Sequence, residues 1–376
     1  MRCCVMFLRY SPMLFLILFI TIIISTGNIK GETRPLAKKN VLIRPFDNTI
    51  SAIFVFGDST VDSGNNNCKT TVTKCNFPPY GRDFVSHIPT GRFSNGRLIT
   101  DMTASYIGLK EFVPPYLDPI LSLEELMTGV SFASGGSGFD PVTAQISDVI
   151  PLEQQLEYFK EYKIRIEYEI GEERTKLLIS KAMFLISAGT NDFVVNYFST
   201  QLRRNSYTVL AYQQFLLQQA QQFLQDLMAE GAQLIGIVGL PPLGCLPVVI
   251  TLNLASSPLQ PRQCIDSYSD VGKEYNRLLQ NMLNNMNIYG TQLVYADIYN
   301  PLYDMVQNPN KHGFNNVYYG CCGSGLFELA ILCNPNSIVC SNASEFVFWD
   351  AVHPTQATYN NLFKFLRPTV DFMLKL

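Results

Sequence analysis

Two short stretches at opposite ends of the chain contain the residue types that activate a hydroxyl group. An apolar run, Phe54-Val55-Phe56, leads directly into Gly57-Asp58-Ser59, and near the C-terminus stands Asp350-Ala351-Val352-His353. A serine hydroxyl is a poor nucleophile until a histidine takes its proton and a carboxylate orients that histidine. If the fold brings the two stretches together, they predict nucleophilic catalysis by Ser59.

The small number of histidines limits the choice of a general base. The chain has three, His87, His312 and His353. Only His353 has a carboxylate three residues away and a proline directly after it. Each stretch alone is a weak signal, because Gly-Asp-Ser is a common turn and Asp350 could equally cap a helix. Their combination in one chain favours catalysis.

Several well-defined motifs are absent from the sequence. No G-x-S-x-G occurs, which argues against an ordinary lipase of the α/β-hydrolase type. The chain also lacks H-E-x-x-H, a P-loop and G-x-G-x-x-G, so zinc-protease, nucleotide and dinucleotide functions have no support. We therefore expect a serine-based mechanism that needs no metal or cofactor.

Apolar runs and helical periodicity alternate along the 376 residues. This alternation predicts an α/β fold with a parallel sheet covered on both faces. Helical spacing of apolar residues is clearest over 209–227 and 271–286. Nothing between residues 50 and 376 resembles a linker, so one domain over 51–376 is expected after an extension at 28–50. The four predicted strands are Ala52–Phe56, Ala182–Ser187, Leu234–Val238 and Gln292–Ala296.

One segment, Gly231–Pro261, contains no charged residue. Its prolines, among them Pro241 and Pro242, argue against a membrane-spanning helix. A buried strand followed by an apolar loop is expected instead, near the sheet edge where ligands bind. The loop either packs on the body of the protein or forms a wall for an acyl chain.

The N-terminus has the features of a secretory signal over residues 1–27. Arg2 and Arg9 provide the positive charge, and Met13–Ile24 is apolar. Cleavage is expected after Gly27, with Gly31 as a second candidate, and a membrane anchor is the alternative. We therefore expect a secreted, extracellular protein without a stable membrane anchor. The formal net charge of −3 gives no reason to expect a nucleic-acid partner.

Cysteine usage agrees with export. Eight of the ten cysteines lie beyond the predicted signal, an even number that favours disulfides. Clustering predicts Cys68 with Cys75, Cys245 with Cys264, and pairing among Cys321, Cys322, Cys333 and Cys340. A glycosylation sequon at Asn342 lies beside the last cluster and is expected on the surface.

Beyond these single signals, the chain resembles the plant-type secreted branch of the GDSL esterase/lipase family, in the SGNH hydrolase superfamily. The resemblance covers roughly residues 51 to 370. Stretches around Thr90–Arg97 and Cys321–Gly323 also match the plant branch. Four diagnostic blocks occur in the family's order: Phe56-Gly57-Asp58-Ser59, Ala133-Ser134-Gly135-Gly136-Ser137-Gly138, Gly189-Thr190-Asn191-Asp192 and Asp350-Ala351-Val352-His353.

The resemblance implies a three-layer α/β/α sandwich with a central parallel sheet, of flavodoxin-like type. It also implies a serine esterase/lipase that hydrolyses lipid or other acyl esters through an acyl-enzyme on Ser59. His353 would be the base and Asp350 its orienting acid. The backbone N–H groups of Ser59 and Gly136, with the side chain of Asn191, would bind the oxyanion.

Structural roles are expected for one loop and for two acids, each of which adjoins a predicted site residue in the chain. Asp58 and Asp192 are expected to stabilise turns, since short acids bond nearby backbone N–H groups. The arginines of Gly91–Arg97 could grip an anion, but structural packing is favoured. The blocks leave two alternatives to hydrolysis open: acyl transfer at the same site, and a non-catalytic binding or defence protein that keeps the fold.

Overall fold

The four predicted strands form one parallel sheet. The computed structural model describes residues 50–200, 202–254, 261–286 and 290–375, so the predicted signal peptide and the extension up to residue 49 lie outside the described residues. Each strand begins and ends within one residue of its predicted bounds. The strands are β1 (Ile53–Gly57), β2 (Met183–Ser187), β3 (Leu234–Val238) and β4 (Gln292–Ala296), adjacent in that order.

A fifth extended segment, residues 128–134, lies along the other edge of β1. The N–H of Val55 donates to the carbonyl of Val130 at 3.1 Å, and the N–H of Phe132 donates to the carbonyl of Val55 at 2.7 Å. The bridge between Val55 and Ser131 is parallel. Counted in chain order, this segment is the second of five strands, and it lies at the edge of the sheet next to the first. The five strands therefore lie side by side in the order 2-1-3-4-5, which is flavodoxin-like. The predicted fold class is confirmed.

Helices cover both faces of the sheet. The two clearest helical predictions correspond to the helices over 209–229 and 266–285. In the described residues the α-helices are α1 (Ile99–Tyr106), α2 (Leu123–Met127), α3 (Pro141–Ser147), α4 (Leu152–Ile170), α5 (Glu172–Ser180), α6 (Val209–Ala229), α7 (Pro247–Leu254), α8 (Asp266–Asn285), α9 (Tyr299–Gln307), α10 (Pro309–His312) and α11 (Gln356–Met373).

One face of the sheet is packed by aromatic rings. Phe54 of β1 lies 5.3 Å from Phe159 of α4 between ring centroids. Phe56, two residues along the strand, lies 5.7 Å from Phe223 of α6. Alternate residues of a strand point to one face, so this side of β1 packs against α4 and α6.

Aliphatic residues form the opposite face. Val55 packs with Ala104 of α1. On β4, Val294 packs with Met373 at the end of α11. The sheet therefore lies between two helical layers, with α1 and α11 on this side.

A second, two-stranded sheet holds the C-terminal motif. β5 (Asn316–Gly320) and β6 (Phe346–Phe348) pair in parallel, and Asp350 follows β6 by two residues. The N–H of Cys321 donates to the carbonyl oxygen of Phe348, the last residue of β6, at 3.0 Å. The N–H of Cys322 donates to the carbonyl oxygen of Trp349 at 2.8 Å. The double-cysteine segment thereby holds the backbone that leads into the Asp-His loop.

Two of the three predicted disulfide groupings are confirmed, and the third is wrong. Cys245 bonds Cys264, and the C-terminal four pair as Cys321–Cys340 and Cys322–Cys333. Cys75, however, is a free, buried thiol, so the predicted bridge to Cys68 does not form. The two side chains point to different surroundings. Cys75 packs in a core cluster with Trp349, whereas the Cys68 sulfur lies 3.4 Å from the Leu117 carbonyl oxygen.

The uncharged segment is more helical than expected. After β3 the chain forms a short 3₁₀ turn, Leu243–Cys245, and then α7. Pro247 is the first residue of α7, where its missing N–H costs no helical hydrogen bond. The predicted apolar loop is therefore wrong for Pro247–Leu254. In the described part of the chain, no helix is long and apolar enough to cross a membrane.

The Cys75 thiol yields a chemical prediction. Burial, with the Asp350 carboxylate, raises the pKa of Cys75 well above its usual value, and the thiolate is the reactive form. Iodoacetamide should therefore leave Cys75 unmodified in the native protein but modify it after unfolding without reductant. The six cysteines of the three disulfides should stay unmodified in both samples, as read by peptide mapping. A Cys75→Ser variant is the control for the modified peptide, and recovery of a Cys68–Cys75 linked peptide would contradict the structure.

Candidate active site

Ser59, His353 and Asp350 form one chain of hydrogen bonds. His353 Nε2 lies 2.7 Å from Ser59 Oγ, and His353 Nδ1 lies 2.7 Å from Asp350 Oδ2. An ionised carboxylate only accepts, so Nδ1 carries the proton and Nε2 accepts from the serine hydroxyl. All three residues are buried, with relative exposures of 5%, 3% and 0%. The fold therefore brings together two stretches that lie far apart in the chain.

Ser59 is held at the end of β1 by a turn that only glycine permits. Gly57 has φ +132°, and a Cβ there would lie 1.8 Å from the carbonyl oxygen of Ser187. That oxygen accepts from the Asp58 N–H at 2.9 Å. The Asp58 carboxylate accepts from the N–H and hydroxyl of Thr60 at 2.9 and 2.7 Å. These bonds agree with the turn-stabilising role predicted for Asp58.

The Asp350 carboxylate accepts four hydrogen bonds. Its Oδ1 accepts from the N–H groups of Val352 and His353 at 2.9 and 2.7 Å. Its Oδ2 accepts from the His353 ring and from the hydroxyl of Tyr80 at 2.7 Å. Sequence reasoning missed Tyr80, since a tyrosine 270 residues from its partner leaves no local pattern. Burial, with the Asp350 carboxylate, raises the pKa of Tyr80 well above 10, so its hydroxyl remains a donor.

The three predicted oxyanion donors lie on segments that adjoin one another. Asn191 Nδ2 donates to the carbonyl oxygen of Ser137 at 2.8 Å, which joins the Asn191 turn to the glycine block. Gly136 has φ +90°, a conformation that favours glycine. Within the described ranges, the N–H groups of Ser59 and Gly136 have no hydrogen-bond acceptor in the protein. Both are therefore free to bind a ligand.

Asp192, the neighbour of Asn191, also has the predicted structural role. It accepts from the N–H groups of Phe139 and Asp140 at 2.8 and 3.1 Å, and from the hydroxyl of Thr143 at 2.6 Å. It thereby fixes the start of α3 beside the turn that carries Asn191.

The Gly91–Arg97 loop packs against the histidine loop. Arg92 pairs with Asp101 at 2.7 Å, and both side chains are buried. The ring of Phe93 lies 5.1 Å from the imidazole of His353, and the Ser94 hydroxyl donates to the Pro354 carbonyl at 3.0 Å. The structural interpretation of this loop is thus supported, because its buried arginine already has a carboxylate partner.

The other two histidines are not part of this site. His87 is exposed. His312 lies 2.8 Å from Asp304, in the region of α9 and α10. In the stretches that the structure describes, no group of three or more His, Cys, Asp or Glu residues could hold a metal ion.

Residues 53–366 match the family model described as GDSL-like Lipase/Acylhydrolase. The Arabidopsis thaliana GDSL esterase/lipase At5g45960 is 54% identical over 87% of this chain and 88% of its own. A second Arabidopsis thaliana protein, GDSL esterase/lipase At1g06990, is 43% identical over 82% and 86%. The chain therefore belongs to the GDSL lipase/acylhydrolase family.

A solved structure is similar only at a distance. The crystal structure of the lipase Lip_vut3, from a goat rumen metagenome, covers 85% of this chain and 96% of its own, with 11% identity and a TM-score of 0.36.

Three buried carboxylates near the site determine how stability should vary with pH. Burial raises the pKa of Asp58 to about 6, that of Asp62 to about 6 and that of Asp192 to about 7. Between about pH 7 and about pH 4 the folded chain therefore holds protons that the unfolded chain has released. Proton binding by the folded state means that stability falls as pH rises through this window. The urea midpoint should be higher near pH 5 than near pH 8.

The half-buried Asp304 has a lowered pKa and titrates below this pH range, so it does not interfere. A urea midpoint that rises steadily with pH would show that the buried carboxylates are ionised throughout.

Proposed function

We propose that this protein is a carboxylic ester hydrolase in which Ser59 is the nucleophile, His353 the general base and Asp350 the residue that orients the base. The single observation that carries the proposal is the hydrogen-bond chain from Ser59 Oγ through the imidazole to Asp350, with 2.7 Å at both links. The names of the relatives, GDSL esterase/lipase, support the same reaction class.

The first half of the reaction forms an acyl-enzyme. As Ser59 Oγ attacks the ester carbonyl carbon, His353 Nε2 takes the hydroxyl proton. Asp350 stabilises the resulting imidazolium through Nδ1–H. His353 then returns the proton to the alkoxide leaving group, and the alcohol departs.

The oxyanion of each tetrahedral intermediate requires donors that are already in place. The N–H groups of Ser59 and Gly136 and the side-chain amide of Asn191 supply three. In the second half, water attacks the acyl carbon while His353 Nε2 takes its proton. The bond between the acyl carbon and Ser59 Oγ then breaks, His353 returns the proton to Ser59 Oγ, and the carboxylic acid leaves. The donors bind the developing charge in both halves, so they lower both barriers.

We also infer that the protein is secreted and glycosylated at Asn342. Three disulfides in the described residues favour an oxidising compartment. The Asn342 side chain is exposed, beside the Cys321–Cys340 bridge. Together with the predicted signal at 1–27, these features support export.

Removing the nucleophile is the first test. Ser59→Ala should abolish hydrolysis of nitrophenyl esters while leaving the thermal unfolding midpoint close to wild type. A serine-reactive phosphonate should modify the wild type at Ser59 and leave the variant unmodified, as read by mass spectrometry. Ser63→Ala is the matched control, because Ser63 lies in the same turn region but its buried hydroxyl has no hydrogen-bond partner in the described structure. Modification of another serine would disprove the assignment of the nucleophile.

The oxyanion role of Asn191 has its own kinetic signature. Asn191→Ala should lower kcat by roughly 10²–10³, about 2.7–4 kcal/mol, because one donor to the transition state is lost. His353→Ala should cost more, since the proton transfer itself is removed. Steady-state kinetics on one soluble ester separate the possibilities. A rise in KM with unchanged kcat would make Asn191 a substrate-binding residue instead.

A further inference from the structure

An apolar cavity lies between the aliphatic face of the sheet and α11. It has a volume of about 90 Å³. β2, β3 and β4 form one wall through Leu185, Gly236 and Val294, and α1 contributes Ile99 to the side. None of the residues that line the cavity is charged. Its wall therefore suits an uncharged, apolar ligand.

One end of the cavity adjoins the active site. The proposed catalytic residues Ser59, Asn191 and His353 each have a direct chain neighbour in the wall. Leu246, from the uncharged segment after β3, lines the cavity as well and is itself buried. The neighbours of the catalytic residues are Thr60, Thr190, Val352 and Pro354.

From this end the cavity extends along the C-terminal helix, α11. Residues on one stripe of α11 line the cavity, from Tyr359 to Met373. At 1.5 Å per residue these two residues are about 21 Å apart along the helix. Opposite the stripe, the middle of β3 carries Gly236. The side chains of Leu185 and Met373 pack beside this glycine, so Met373 closes the cavity at this point.

Several hydroxyl groups in the wall are already engaged. Thr60 Oγ1 lies 2.8 Å from Ser187 Oγ, within hydrogen-bond distance. The Thr103 hydroxyl donates to the Ile99 carbonyl at 2.9 Å. A cavity whose polar groups bond one another holds water poorly, and an apolar chain gains free energy by filling it.

We propose that this cavity binds the acyl chain of the ester, which runs from Ser59 between the sheet and α11. The proposal rests on the proposed function, because it needs the acyl carbon at Ser59. The cavity also limits the length of the chain. One water-sized group needs about 10–15 Å³ of such space, so the cavity holds about six to nine of them. The geometry points to medium-chain esters as the preferred substrates.

Chain-length profiles test the proposal. kcat/KM is measured for nitrophenyl esters from acetate to laurate with wild type, Val370→Phe and Met373→Ala. In wild type, activity should rise to a medium-chain optimum. Val370→Phe narrows the far end of the cavity and should move the optimum to shorter chains. For each methylene that no longer fits, kcat/KM should fall about fourfold. Met373→Ala enlarges the same end and should move the optimum to longer chains.

The control lies next to Met373 in the chain. Phe372 is also a large apolar residue near the end of α11, but it is 54% exposed. Phe372→Ala should leave the profile unchanged. Simple destabilisation would lower acetate and longer esters alike in both cavity variants, whereas a filled cavity moves the two optima in opposite directions.

The proposed function and the cavity proposal fail in different ways. Inactivation by alkyl phosphonates of increasing length reports on acyl-chain binding without requiring turnover. If no phosphonate modifies Ser59, the proposed function fails. If Ser59 is modified but wild type prefers acetate, or if both variants keep the wild-type profile, the cavity proposal is overturned and the proposed function stands.

Discussion

The active-site geometry depends on how the buried carboxylate of Asp350 is satisfied. Burying a carboxylate without partners is very unfavourable, so its donors must be fixed before the loop can adopt this conformation. Two donors come from the backbone of its own loop, one from the His353 ring and one from Tyr80. Together they leave the carboxylate one orientation. That orientation determines the position of the imidazole and hence of the base beside Ser59.

The donors are positioned by structure outside the main sheet. The loop follows β6, whose end is held by the backbone N–H groups of Cys321 and Cys322. Tyr80 and Trp349 are fully buried in the same hydrophobic cluster, together with Cys75. A free thiol suits this place because cysteine behaves as a small apolar residue when buried. The disulfide-rich region therefore supports the acid and the base, whereas the main sheet supports the nucleophile.

The main sheet places the nucleophile where its topology changes direction. The chain leaves the adjacent strands β1 and β2 towards opposite faces of the sheet. In a sheet of this strand order, a crevice forms at that point, between the carboxyl ends of the two strands. Ser59 follows β1, and Asn191 follows β2. The segment 128–134, on the other edge of β1, leads into the glycine block. Three sequence blocks far apart in the chain thus converge because their strands are neighbours.

Sequence patterns predicted the parts of this arrangement that are local. The strands are short apolar runs, the helices have clear periodicity, and the Ser59 and His353 motifs are contiguous. The Tyr80–Asp350 bond joins distant segments and could not be seen. The error at Cys68 and Cys75 has the same origin, since proximity in sequence does not determine which way two side chains point. The helix that begins at Pro247 was not predicted. The prolines of this segment argue against a long helix, but proline is also favoured at a first helical position.

The two faces of the sheet are used differently, and the difference bears on substrate binding. Large rings such as Phe54, Phe159 and Phe184 interlock on one face and fill its volume. The other face presents smaller residues, among them Gly236 and Val294, and it is there that the cavity lies. Close packing is the rule in protein interiors, so an apolar space of this size requires a compensating reason. Since its wall includes the direct neighbours of the proposed catalytic residues, binding of an acyl chain would supply the missing contacts. The same sheet would then hold the nucleophile at its edge and the substrate tail along its face.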